Sequence, residues 1–361
     1  MAQSQSASLL AETDSDSTTS RARTLRLSAR WLVSPRYDLC FFIGSCVLTW
    51  LFLGLYHLLN AFGLAPRTES VLLTYFVFTA FFDHPHIFQT FSRSHLDPVE
   101  RKRHRFAHTW GLGLFIAAGY VLAALKVFPY VIVFAAVYGS WHIMRQHWGI
   151  LRAYKALNND RQRLDERLDF ALFWSGAAAL YLHDYTGNPP QTVIYGKLVA
   201  PFPSLPAALG DSLLWLFLSI LVAYIGRQVQ KAYRGEALNL PKLLLLIAAL
   251  GTHGLVFFAT ATPFLVAEAL ETTYHDVQYQ GWMRHYQTRR FAAHVAKRWL
   301  KFGLLYGVIV GTFEVIALLN DERFGWLFIP FGMIVLWHYW VDGKIWKLRQ
   351  QPELRKAMLE R

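Results

Sequence analysis

Repeated apolar runs of about 17 to 22 residues, separated by short basic stretches, dominate this chain of 361 residues. A run of that length is what an α-helix needs to cross the hydrocarbon core of a bilayer. Hydrophobic residues make up 54% of the chain and aromatic residues 16%, and mean hydropathy is +0.25. Such a chain reads as an all-α, polytopic membrane protein rather than a water-soluble domain. The runs fall near 38–58, 70–92, 106–125, 129–150, 168–183, 209–226, 243–260, 264–283, 299–319 and 326–342, which predicts about ten transmembrane helices.

Charge supports an even number of spans. With the N-terminus placed in the cytoplasm, 32 of the 36 Lys and Arg fall on the inner side, and only Arg67, Lys126, Lys197 and Arg323 fall outside. Basic residues concentrate in cytoplasmic loops, so both termini are expected to be cytoplasmic. The same asymmetry accounts for the net charge of +12 without nucleic acid, for which the chain has no recognition motif. Residues 1–36 read as a disordered, basic N-terminal tail without a signal peptide. Residues 37–343 form the membrane domain and 344–361 a basic cytoplasmic tail. Cys40 and Cys46 both lie in the first run, where they serve as small packing residues.

Four of the runs carry histidine or carboxylate at one end: Asp83-His84-Pro85-His86, His142 with His147, Glu271 with His275 and Asp276, and His338 with Asp342. All four are even-numbered spans, so all four place these groups at the same leaflet. Polar groups at membrane depth are costly and mark function. A shared metal centre is the leading reading.

At about 100° per residue, positions four apart share a helix face. Glu271 with His275, and His338 with Asp342, therefore present paired ligands, or a ligand with the carboxylate that orients it. The plainer reading of each is an internal hydrogen-bonded pair. His142 and His147 diverge by roughly 140°, and face one centre only across a π-bulge or a wide site. His84 and His86 point apart in a regular helix, but Pro85 removes a helical hydrogen bond, and a locally extended segment would bring both to one side. The expected ligands are His84, His86, His142, His147, Glu271, His275, His338 and Asp342, with Asp83, Tyr138 and Gln278 standing behind them.

Imidazole and carboxylate without thiolate suit iron, zinc, manganese or copper, and exclude a cysteine-ligated cluster. Eight donors exceed one tetrahedral site and fit two metals better. The His-rich, multi-pass layout resembles membrane di-iron hydroxylases and desaturases and the bacterial membrane β-carotene dioxygenases. The likeness is one of layout: the spacing His142-x-x-x-x-His147 replaces the desaturase His-x-x-x-His box, and no His-His pair is present. That resemblance implies two iron ions, O2 chemistry on a lipophilic substrate, a soluble ferredoxin-type electron donor, and a place in a bacterial inner membrane. Two other classes stay open: a b-haem electron carrier, and a metal or proton transporter, which would place polar residues nearer the midplane.

Overall fold

The computed structural model describes residues 25–63, 69–186, 192–195 and 198–360. Residues 1–24 of the expected tail, together with Arg67 and Lys197, lie outside the described residues. Among the described residues, ten long helices follow the ten apolar runs. They are α1 (Pro35–Ala61), α2 (Glu69–Leu96), α4 (Ala107–Ala124), α5 (Phe128–Leu157), α6 (Arg163–Asp184), α7 (Ala207–Tyr233), α8 (Leu240–Phe258), α9 (Phe264–Arg290), α10 (Ala293–Leu319) and α11 (Phe328–Ile345). Two short amphipathic helices, α3 (Pro98–Arg103) and α12 (Pro352–Leu359), lie outside the runs.

Six helices, α1, α2, α4, α7, α8 and α10, are long and apolar enough to cross a membrane. Their outward faces have the character a lipid environment requires: on α7, Trp215 and Val222 are 69% and 71% exposed. A soluble monomer rarely shows such a patch. Three of the remaining long helices, α5, α9 and α11, carry the histidines that lower their apolar content.

Among the described residues, the named strands form two small pairs. β1 (Leu27–Ser28) runs parallel to β4 (Leu238–Asn239), and β2 (Thr192–Tyr195) pairs antiparallel with β3 (Leu198–Ala200) across a bulge. The β1 pairing corrects the reading of residues 25–36 as disordered. Trp31 and Leu32 are buried, and the Asp38 carboxylate accepts from the backbone N–H of Leu32 at 2.6 Å and from the Tyr154 hydroxyl at 2.8 Å. The C-terminal segment folds back too. Leu354 and Met358 of α12 pack against Tyr279, Met283 and Tyr286 of α9.

Wide turns shape the core. In α1 a π-helical turn at Leu39–Ile43 leads into a 3₁₀ turn at Gly44, where a Cβ would sit 2.4 Å from the Leu39 carbonyl oxygen. Within that turn the Phe42 carbonyl accepts from Tyr274 Oη at 2.7 Å and Gln278 Nε2 at 2.6 Å, tying α1 to α9. In α2 a π-helical turn spans Thr79–Asp83, immediately before Pro85. Proline clashes with the carbonyl four residues back in a regular helix, and the wider turn relieves that clash. Across from it, α10 presents Gly307 and Gly311. Added Cβ atoms there would lie 2.2 Å from the Ala80 carbonyl oxygen and 2.5 Å from Thr79 Oγ1. Small residues at this spacing let two apolar helices approach closely.

Candidate metal centre

Four histidines from four helices form a closed ring. His86 comes from α2, His142 from α5, His275 from α9 and His338 from α11. Ring centroids lie 5.2 Å apart for His86 and His275, 5.1 Å for His275 and His142, 5.0 Å for His142 and His338, and 4.7 Å for His338 and His86. A metal about 2.1 Å from each nitrogen would put neighbouring centroids about 4.5 to 5.2 Å apart, for angles from 90° to tetrahedral. The four residues are at most 7% exposed.

One helical turn further along three of these helices, a second polar layer completes the arrangement. Thr90, Tyr279 and Asp342 each lie four residues after a ring histidine. Asp342 Oδ1 accepts from Thr90 Oγ1 at 2.8 Å and from Tyr279 Oη at 3.0 Å, and Trp346 Nε1 donates to Tyr279 Oη at 3.2 Å. Thr90, having given its proton to the carboxylate, accepts from His338 Nδ1 at 2.7 Å. Gln146, four residues after His142, donates to the His275 carbonyl at 2.9 Å. These matched steps require α2, α9 and α11 to run in the same direction.

The layer assigns the tautomers. With its Nδ1 proton donated to Thr90, His338 turns a bare Nε2 lone pair into the ring. His86 Nδ1 faces Asp276 Oδ1 at 2.9 Å and Asp83 Oδ1 at 3.4 Å. A carboxylate accepts only, so that nitrogen carries a proton, and His86 Nε2 is either a lone pair or, in the imidazolium, the donor to His338. The two Nε2 atoms are 3.0 Å apart. Two lone pairs facing each other at that distance in an apolar interior repel unless a cation lies between them. Neither nitrogen of His275 has a hydrogen-bond partner, nor does His142 Nε2. Each buried polar atom so left costs about 1–3 kcal/mol. A proton satisfies two nitrogens, whereas a metal ion satisfies all four. Three groupings could hold one: His86 with His275 and His338; His142 with His338 and Asp342; and Asp83 with His86 and Asp276.

Not every expected ligand joins. His84, His147 and Glu271 stand apart from the ring. The segment His84–Phe91 is α-helical rather than extended, so His84 turns away from His86. Its Nε2 lies 2.9 Å from Glu314, and its ring meets Tyr306. α5 stays a regular helix through His142 and His147, so only His142 faces the centre. His147 Nδ1 bonds Gln278 Oε1 at 2.7 Å, and its ring stacks on Tyr274. Gln278 thereby supports His147 rather than a ring histidine. Glu271 accepts from Ser140 Oγ at 3.2 Å, one turn before His275. Tyr138 is separated from the ring by Tyr339, which packs against His142 at 4.6 Å. Gly139 makes that position open to Tyr339, since a Cβ there would be 2.8 Å from its hydroxyl. His253 is buried and meets the Tyr181 hydroxyl at 3.2 Å.

Sequence reasoning missed Thr90, Tyr279 and Tyr339 and gave Asp276 no separate role. The four-residue step that picked out Asp342 after His338 also reaches Thr90 from His86 and Tyr279 from His275, so two of these were within reach.

A cavity of about 540 Å³ adjoins the ring on the side opposite the Thr90 layer. Its floor includes Asp83, Ser140, Glu268, Glu271 and Tyr339, and it extends past apolar side chains to β2 and the stretch Thr260–Phe264. No protein-family model, no curated protein and no solved structure matches this chain.

Proposed function

We propose that the protein is a membrane-embedded, non-haem iron oxidoreductase that uses O2 on a lipophilic substrate. The observation that carries this reading is the facing pair of Nε2 atoms of His86 and His338, 3.0 Å apart, with His142 and His275 turned to the same place. An all-nitrogen ring flanked by carboxylates, with no thiolate, suits a transition metal able to work with O2. Asp276 and the Thr90–Asp342 pair hold the imidazole planes and raise ligand basicity, as outer partners of metal-bound histidines do. The cavity beside the ring is of a size for a small-molecule substrate, and much of its wall is apolar.

His86, His142, His275 and His338 furnish one ion. Asp83, His86 and Asp276 are a grouping that would hold a second. Metal analysis of detergent-purified protein tests the reading. About one iron per chain supports the four-histidine ion, about two support the pair, and a metal-free preparation that is folded and active sinks both.

The topology belongs to the same proposal: ten spans with both termini in the cytoplasm, and a soluble electron donor of ferredoxin type docking on the basic inner face. A reporter fused after Arg361 should be cytoplasmic and one inserted between Pro189 and Pro190 external. Finding both on one side breaks this arrangement. A b-haem reading has less support, because two axial imidazoles about 2.0 Å from iron put their nitrogens about 4 Å apart, against the 3.0 Å between His86 and His338. A cation transporter is the second reading, and the carboxylates on the cavity floor favour it. Uptake into liposomes without any O2 consumption would decide for it.

A further inference from the structure

The cavity has a one-sided electrostatic character that the metal ring does not explain. Five carboxyl groups line it, those of Asp83, Asp184, Glu268, Glu271 and Glu314, and among the described residues no Lys, Arg or His does. Glu314 is held by His84 at 2.9 Å and Glu271 by Ser140 at 3.2 Å. Glu268, on the same stripe of α9 as Glu271, makes no hydrogen bond among the described residues and faces the open space. Aromatic rings stand around this end: Tyr75, Tyr181, Tyr185 and Tyr339 all line the cavity. Carboxylates that accept hydrogen bonds, together with aromatic faces that attract cations, form the environment that recognises an ammonium group. The rest of the wall is apolar, including Val131, Ile132, Phe202, Phe257 and Phe264. A volume of about 540 Å³ is far larger than a bare ion needs, and it lies within the range of roughly 300–1,000 Å³ usual for small-molecule sites.

We propose that this cavity binds a lipophilic amine, with its ammonium head between Glu268 and Glu271 and its apolar body extending towards β2. Glu271 lies one helical turn before His275 and Glu268 two turns before it, so the head, not the tail, is the end beside the metal ring. Treating this molecule as the substrate rests on the oxidoreductase reading; its binding does not depend on that reading.

The experiment measures equilibrium binding of tritiated dodecylamine to the full chain in lipid nanodiscs, with empty nanodiscs subtracted and dodecan-1-ol and dodecanoate as competitors. The amine should bind at least tenfold more tightly than either competitor. Glu268→Gln should remove that preference while dodecanol binding stays unchanged, and Glu271→Gln serves if the first variant does not fold. Equal competition by all three compounds overturns the proposal, as does an amine preference that survives in both variants. Displacement of the amine by millimolar Mg²⁺ at fixed ionic strength also overturns it, because the cavity would then be an inorganic cation site. Metal content is measured on the same samples. A metal-free chain that prefers the amine sinks the oxidoreductase reading and keeps this one; a metal-loaded chain without the preference does the reverse.

Discussion

Two buried polar clusters lie in this bundle, and they differ in whether the chain completes them. In the first, Lys155, Arg227, Lys231 and Lys242 meet Asp160, Asp165 and Asp169 between α5, α6, α7 and α8. Lys242 Nζ is 2.6 Å from Asp160 and 3.0 Å from Asp169, Lys231 Nζ and Arg227 Nε are each 2.7 Å from Asp165, and Lys155 pairs with Asp169. Every charge there has an opposite charge from another element. In the second, the histidine ring, two Nε2 atoms face each other at 3.0 Å and neither imidazole nitrogen of His275 has a hydrogen-bond partner among the described residues. Structural polar groups in a protein interior finish their hydrogen bonds within the chain. The ring is unfinished, and its supporting layer of Thr90, Tyr279 and Asp342 is complete, which is the pattern of a site prepared for something the chain does not itself supply.

The largest expected effect separates the clusters by metal content. His86→Ala, His275→Ala and His338→Ala should each reduce bound iron to near zero, because each removes a donor from the ring. His57→Ala and His183→Ala, away from the ring, should leave iron unchanged. Retention of full iron in all three ring variants would place the metal elsewhere or nowhere.

Next in size is a stability effect at the ion-pair cluster. Lys242→Ala leaves Asp160 and Asp169 short of a buried partner, a loss that costs about 3–5 kcal/mol. Denaturation in detergent should show it, while iron per folded chain stays at the wild-type value. The pH dependence has a defined sign. Burial would raise the Asp160 carboxyl, but Lys242 and Lys231 beside it hold it below the usual carboxylate range. A group whose folded value is depressed stabilises above its unfolded value of about 3.9 and loses that contribution as pH falls through the folded value. Thermal stability should therefore be flat from neutral pH to about 5 and fall below about 4, with a smaller fall in Lys242→Ala.

A third, intermediate effect tests the supporting layer. Thr90→Val keeps the shape of the side chain and removes the hydroxyl that accepts from His338 Nδ1. Losing such an outer partner typically lowers metal affinity about 10–100-fold. Competition with a chelator should reveal that shift, with the helical content by circular dichroism unchanged. An unshifted titration would mean that His338 is oriented by packing alone.

The sequence displayed the apolar runs and the polar ends of four of them because both are compositional, and the helices follow those runs closely. It displayed His338 with Asp342 because their relation is local to one helix. Asp276 behaves differently: it is adjacent to His275, yet it serves His86 across a helix interface, and no spacing encodes that contact. Pro85 left two backbone paths open, and the π-helical turn at Thr79–Asp83, packed on Gly307 and Gly311 of α10, selects the helical one. That selection is tertiary. It is why His84 and His86, two residues apart, end in different environments.

The smallest expected effect on metal is none, and it falls on two histidines that spacing alone could not set aside. His84→Gln removes the ring that lies 2.9 Å from Glu314, and His147→Gln removes the ring that bonds Gln278 at 2.7 Å. Each leaves a buried partner under-satisfied, which costs about 1–3 kcal/mol and should lower the melting temperature. Because neither side chain turns into the ring of His86, His142, His275 and His338, iron per folded chain should match wild type in both variants. Loss of half the iron in either one would show that a second ion is held outside the ring, with His84 and Glu314 or His147 among its ligands. Retention in both confines the metal to the four imidazoles and their neighbouring carboxylates.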